Sequence, residues 1–185
     1  VYMQVTVIVP TFNEAPNVAE LVRRVAATAK GFSVDILFVD DSTDETPDVI
    51  RRVAATADVP VRLIHRDDPA GGLSGAVVAG LDAAPSDVCI VMDGDLQHPP
   101  EDIARMVARY LHGDVDVVVA SRSTADGTAG GLAARSRVIV SRGSTAVTKA
   151  MFPIRLREVT DPMTGFFLVD RRAIDLDQLR PRGFK

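Results

Sequence analysis

Apolar residues recur in two rhythms along this chain of 185 residues. Val5–Val9 (VTVIV) is apolar on both faces and is stopped by Pro10, which predicts a central parallel strand covered on each side. Val34–Val39, Val61–Ile64, Val88–Met92 and Asp116–Ala120 read as four further strands. Between them the apolar spacing widens to three and four. Val18, Leu21, Val22 and Val25 predict a helix that Asn13 and Pro16 start and Gly31 ends. A second helix runs through Val49, Ile50 and Val53, opened by the cap residues and acids of Ser42–Thr46. Leu73–Ala84 is helical and rich in small residues, suited to close packing on a sheet. Pro100–His112 sets Ile103, Met106, Val107 and Leu111 on one face. Strand and helix thus alternate four times, the pattern of an α/β domain with a mostly parallel sheet and helices on both faces.

After Ala120 the rhythm changes. Ser121–Arg137 holds Gly127, Gly130 and Gly131 among Ser, Thr and Ala, and reads as a long mobile loop. Val138–Phe152 is expected to be helical, Thr160–Gly165 a turn, Phe166–Val169 a short strand and Arg171–Leu179 a helix. No internal repeat is expected.

Composition narrows the classes. Hydrophobic residues make up 46%, enough for a packed core. A net charge of −4 gives no global basic field for nucleic acid or anionic lipid. The single cysteine, Cys89, lies inside an apolar run, so no disulfide framework exists and a reducing, cytosolic compartment fits. Val1–Pro10 lacks a basic n-region and reads as a strand rather than a signal peptide. No run approaches the ~20 apolar residues of a membrane span.

The chemistry concentrates at strand ends. In Cys89–Pro100 (CIVMDGDLQHPP) an apolar strand runs straight into Asp93, Gly94 and Asp95, with Gln97 two residues on. Two carboxylates there must be paired, solvated or holding a cation, because an unpaired buried charge costs several kcal/mol. Oxygen-only ligands suit Mg²⁺ or Mn²⁺. A polar turn capping the next helix accounts for this stretch equally well. Pro10–Glu14 and Asp40–Asp44 end two other strands, and Ser121–Arg122 a fourth. Ligands of open α/β sheets bind beyond such ends, and acids there reach a phosphate only through a cation. A metal–diphosphate ligand is the simplest use. No glycine phosphate cradle of the usual kinds is present. Arg122, Arg135, Arg137 and Arg142 lie in or beside the loop, and Arg137 and Ser141 share a helix face, a pair that suits a phosphate. His98 precedes Pro99–Pro100 and reads as part of a turn rather than a base. An apolar strand ending in Asp-x-Asp also fits a haloacid-dehalogenase-type phosphatase. A non-catalytic nucleotide-binding module is the other alternative.

Val9–Glu14 (VPTFNE), Phe38–Thr46 (FVDDSTDET), Asp93–Pro100, Ser121–Arg122, Arg137–Gly143 and Asp161–Phe167 (DPMTGFF) together resemble family 2 glycosyltransferases, and within them the polyprenol-phosphate sugar synthases. The likeness covers essentially the whole chain, in order. It implies a Rossmann-like GT-A domain over residues 1–185 and inverting transfer of a sugar, mannose foremost, from GDP-mannose to dolichol or polyprenol phosphate. A UDP-glucose-type donor is the variant reading. It implies that Pro10, Phe12, Glu14, Asp40 and Asp41 hold the nucleotide, with Asp93 and Asp95. Asp93, Asp95 and Gln97 would bind Mg²⁺ or Mn²⁺. Arg122, Arg137 and Ser141 would hold the acceptor phosphate, with Asp95, Arg122 and Arg137 carrying catalysis. It further implies a C-terminal extension past Lys185 that meets the membrane, and a cytoplasmic place at its inner face. Phe12 stands where the family more often has tyrosine, and Gly71–Gly75 lacks a basic residue just before it.

Overall fold

The computed structural model describes residues 3–120 and 165–179. The chain divides into two compact units, residues 1–118 with 166–185, and residues 119–165. Among the described residues the strands are β1 (Gln4–Thr11), β2 (Ser33–Asp40), β3 (Val61–His65), β4 (Val88–Val91), β5 (Val117–Val119) and β6 (Phe167–Asp170). The helices are α1 (Val18–Ala26), α2 (Thr46–Ala54), α3 (Gly72–Ala83) and α4 (Asp102–Tyr110). The sheet order is β3-β2-β1-β4-β6-β5. Strands β3, β2, β1 and β4 run parallel, and β6 returns antiparallel to β4. The mostly parallel α/β reading holds.

Strand β1 is buried along all but its first residue, as a run apolar on both faces requires. Ile8, Leu37, Val39, Cys89, Val91 and Val169 form one core with Ala76, Leu81 and Ala84 of the α3 segment. Gly80 is what lets α3 come so close. A Cβ built there would lie 2.4 Å from Ile8 Cγ2 and 3.2 Å from Val39 Cγ2. The alternate residues Val7, Val9, Ile36, Phe38 and Ile90 are also buried, so the second face is covered too. Cys89 is core, and burial pushes its thiol up to about 11. Polar groups inside the sheet are matched across strands. Thr6 Oγ1 donates to Asp35 Oδ1 at 3.0 Å, and Arg62 reaches Asp35 Oδ2 at 2.6 Å. No described helix is long and apolar enough to cross a membrane.

Three expectations need correction. Arg171–Leu179 is not one helix but two 3-10 turns, Arg171–Ala173 and Leu176–Gln178, each opened by an aspartate, Asp170 or Asp175, that accepts the N–H two residues on. Leu111 does not join the buried face of α4; the helix ends at Tyr110 and Leu111 is 64% exposed. The chain does contain a repeat: Val22–Ala29 reads VRRVAATA and Ile50–Ala57 reads IRRVAATA. Both copies close a helix the same way, with Ala27 and Ala55 N–H bonding back to Arg23 and Arg51. The expected loop and helix within residues 121–152 lie outside the described residues.

Asp170 locks β6 in place. Its carboxylate takes Arg172 Nη2 at 2.7 Å and the Tyr110 hydroxyl at 2.6 Å. The Arg172 guanidinium, helped by Tyr110 and opposed by burial, holds this carboxyl well below the usual carboxylate range.

Two outcomes follow for stability. In Gly80→Ala the gain in helix propensity, about 1 kcal/mol, is outweighed by overpacking against Ile8, so urea unfolding should show a net loss of about 1–2 kcal/mol. An unchanged midpoint would contradict the close approach. Because the folded Asp170 carboxyl titrates below its ordinary value, it stabilises the protein above about pH 4, and that contribution fades as pH falls through the lower folded value. Asp170→Asn should therefore be less stable than the parent at pH 7. The difference should shrink as pH drops from about 5 toward 2. A pH-independent difference would rule out this linkage.

Candidate active site at the β1–β4 strand ends

The order β2-β1-β4 sets three of the polar strand ends side by side. Between β1 and β4 the strand order reverses, the place where open α/β sheets bind ligands. Thr11 pairs with Asp40 across β1 and β2, and Met92 N–H bonds Ile8 O at 3.0 Å as β4 leaves the sheet.

Beyond Thr11 the chain turns sharply. Pro10 is buried within β1, opposite Val39. Phe12 is turned outward and is 62% exposed. Asn13 follows at φ +59°, the left-handed region that asparagine tolerates better than most residues. Its N–H donates to Ser42 Oγ at 2.8 Å, and its Oδ1 accepts from Thr43 N–H at 3.1 Å. Asn13 was expected to start the first helix. It instead staples the β1 turn to the β2 turn, and Ala15–Asn17 forms a 3-10 turn leading into α1. Glu14 Oε2 accepts from Asn17 Nδ2 at 2.6 Å.

The two aspartates after β2 play different parts. Asp40 is fully buried. Its Oδ1 accepts from Thr11 Oγ1 at 2.7 Å and Ser42 Oγ at 2.6 Å, and its Oδ2 meets His65 Nδ1 at 2.8 Å. The expectation that Asp40 touches a nucleotide does not fit this burial, because no oxygen of its carboxylate reaches the surface. It ties together the ends of β1, β2 and β3. Asp41 sits at the rim, clamped by Arg66: Nε donates to Oδ1 at 2.7 Å and Nη2 to Oδ2 at 2.5 Å. Arg66 also donates to Ala70 O at 3.1 Å and Gly72 O at 2.9 Å, so it fastens the loop before α3. Arg66 was not singled out from the sequence. It supplies a basic group five residues ahead of Gly71–Gly75, where none stands immediately before.

At the end of β4, Asp93 and Asp95 are half-buried and Gln97 is exposed. Asp95 Oδ1 accepts Gln97 N–H at 3.0 Å, and Leu96 between them has φ +58°. Gly94 abuts the β1 turn: a Cβ there would lie 3.1 Å from Thr11 Cγ2 and 3.6 Å from Glu14 Cγ. The Asp-Gly-Asp turn and the Phe12–Glu14 turn are therefore neighbours. No group of three or more His, Cys, Asp or Glu suited to a metal exists among the described residues. Asp93 and Asp95 bring two carboxylates and Gln97 an amide oxygen. That set fits a hard cation that takes its remaining ligands from water and a phosphate. His98 is buried, with its ring 5.4 Å from that of Phe166, which suits a packing role. Arg122, Arg135, Arg137, Ser141 and Arg142 lie outside the described residues.

Comparison with known proteins adds a family. The model described as glycosyl transferase family 2 matches residues 6–176. A curated dolichol-phosphate mannosyltransferase of Pyrococcus furiosus is 35% identical over 184 residues, covering 99% of this chain and 51% of the relative. The chain thus spans about half the length of that relative. A mannosyltransferase of Pyrobaculum calidifontis, solved in complex with GDP-Man and Mn²⁺, superposes with TM-score 0.58 at 29% identity, over 65% of this chain and 36% of the other. A glucosyl-3-phosphoglycerate synthase of Mycobacterium tuberculosis, solved with UDP, shares the fold with TM-score 0.68 at 18% identity, over 92% of this chain and 57% of the other.

The Asp41–Arg66 clamp is open to direct test. Both side chains are nearly buried, at 11% and 12% exposure. Arg66→Met should lower the unfolding free energy by about 3 kcal/mol, since it strands a carboxylate. Arg66→Lys should restore only part of it, because a point charge cannot fork. Denaturant midpoints matching the parent in both variants would dismiss the clamp.

Proposed function

The chain belongs to glycosyl transferase family 2, and on that premise we propose that it transfers mannose from GDP-mannose to a polyprenol or dolichol phosphate, with inversion and with a divalent metal. The observation that carries this reading is the near full-length likeness to the dolichol-phosphate mannosyltransferase, at 35% identity over 99% of the chain. The solved mannosyltransferase complex with GDP-Man and Mn²⁺ supports the donor and the need for a cation. Family membership displaces the haloacid-dehalogenase-type phosphatase reading. In this reading the protein works at the inner face of the membrane, from the cytoplasm.

The donor lies across the β1–β4 crevice. Phe12 offers an exposed ring to a nucleobase, a contact worth roughly 1 kcal/mol beyond its buried area. Glu14 and Asp41 flank it, and Pro10 contributes only main chain. Asp93, Asp95 and Gln97 would hold the metal. When bound, the metal supplies positive charge where negative charge collects on the departing diphosphate. Mg²⁺ and Mn²⁺ both suit these oxygen ligands.

The acceptor is a phosphate monoester, anionic at neutral pH, so no strong general base is required. Arg122, Arg137 and Ser141 hold it, and their task is alignment. One phosphate oxygen forms a bond to the anomeric carbon from the face opposite the diphosphate. The bond from that carbon to the diphosphate oxygen breaks, and the nucleoside diphosphate leaves with the electron pair.

Calorimetry separates the components. GDP should bind in the presence of Mn²⁺ and more tightly than UDP. Asp95→Ala should lose the metal-dependent part of that affinity while the protein still folds, since Asp95 is partly solvated. Parental GDP affinity in the Asp95→Ala protein with Mn²⁺ would overturn the metal site. Tighter UDP binding would move the donor to the UDP-glucose type.

A further inference from the structure

Behind the exposed Phe12 turn runs a chain of hydrogen bonds to which the proposed reaction gives no task. It starts at the edge of the sheet. His65 ends β3, its side chain 30% exposed, and its Nδ1 lies 2.8 Å from Asp40 Oδ2. A carboxylate only accepts, so Nδ1 carries the proton and donates. Nε2 points toward the rim, 3.9 Å from Asp67 Oδ1. From Asp40 the chain passes through the Ser42 hydroxyl, which donates to Oδ1 at 2.6 Å and accepts Asn13 N–H at 2.8 Å. Asn13, at φ +59°, directly follows the exposed Phe12.

We propose that His65 is a positioning residue for the nucleotide-facing turn Phe12–Glu14, acting through Asp40 and Ser42. The inference rests on the nucleotide reading given above. Asp40 is beyond the reach of solvent. If His65 stops donating, no water can replace it at Oδ2, and the carboxylate must turn toward Thr11 and Ser42 instead. Ser42 then loses the orientation in which it both donates to Asp40 and accepts from Asn13. Asn13 then keeps only its Thr43 bond to the β2 turn, and Phe12 beside it is held less firmly. His65 itself sits on the edge strand, outside the crevice between β1 and β4. Its effect is therefore on donor affinity and not on the transfer step.

The experiment titrates GDP, and UDP in parallel, into the protein with Mn²⁺, and measures sugar transfer alongside. His65→Phe keeps the bulk and removes the donor; it should weaken binding about tenfold, the scale of a lost outer hydrogen-bond partner. The donor KM should rise by the same factor while kcat stays within about twofold. His65→Asn keeps an N–H near Nδ1 and should stay within about threefold of the parent. Ser42→Ala cuts the chain at its other end and should reproduce the loss. The double variant should lose no more than the worse single one, because both act along one path. A folded His65→Phe protein with parental affinity overturns the proposal, as does a fall in kcat with KM unchanged. Should His65→Phe fail to fold, Ser42→Ala decides, and parental affinity there overturns it equally. If the parent protein binds neither GDP nor UDP with Mn²⁺, the nucleotide reading itself has failed.

Discussion

A carboxylate with no exposed surface must find every partner inside the protein, and Asp40 meets that demand with three side chains from three strand ends. The cost of leaving such a group unmatched, several kcal/mol, is a large part of a domain's stability. The ends of β1, β2 and β3 are therefore held in one arrangement rather than several. The turns that follow inherit that order. Asn13 can occupy the left-handed region because Ser42 and Thr43 hold it from both sides. Phe12 can stay exposed, at a cost in apolar hydration, because its backbone has nowhere else to go.

The sheet repeats the same device at its other end. Asp35 is buried within β2 and is satisfied by Thr6 on β1 and Arg62 on β3. One matched aspartate near each end of β2 fixes its register against both neighbours. A shift of one residue would turn each carboxylate toward the apolar core behind it, which makes register errors expensive. This is why a strand whose third residue is the acidic Asp35 still behaves as a central one.

What the sequence disclosed and what it hid divide along a physical line. Periodicity is local, so β1, β2, β4 and the small-residue helix α3 were legible from apolar spacing, and the Asp-Gly-Asp turn from its abrupt polarity. Partners are not local. Arg66 and Asp41 are 25 residues apart, Tyr110 and Asp170 60 apart, and neither pairing leaves a mark in composition. Asp40 looked like a ligand-facing acid because its neighbours in the chain are polar. Only the arrival of His65 from β3 shows it facing inward. The segment Arg171–Leu179 misled for another reason: Asp170 and Asp175 bind main-chain N–H groups locally and divert the chain into short turns. The paired VRRVAATA and IRRVAATA stretches, at eight residues, are too short to set an architecture, yet they give α1 and α2 the same ending.

Charge at the crevice then follows from which bases are already committed. Arg62 is bound to Asp35, and Arg66 to Asp41 with its other N–H groups on Ala70 and Gly72. Neither is available to the β4 end, and Asp95 takes a main-chain N–H from Gln97. In the proposed reading a donor diphosphate would meet the carboxylates of this edge through a divalent cation. The turn after β4 and the turn after β1 meet at Gly94. A Cβ at Gly94 would lie 3.1 Å from Thr11 Cγ2, so a side chain there would press on the β1 turn that carries Phe12, against which the Asp93–Asp95 turn rests. The β1–β2 side of the crevice is thus ordered by buried hydrogen bonds running from Asp40 through Ser42 to Asn13.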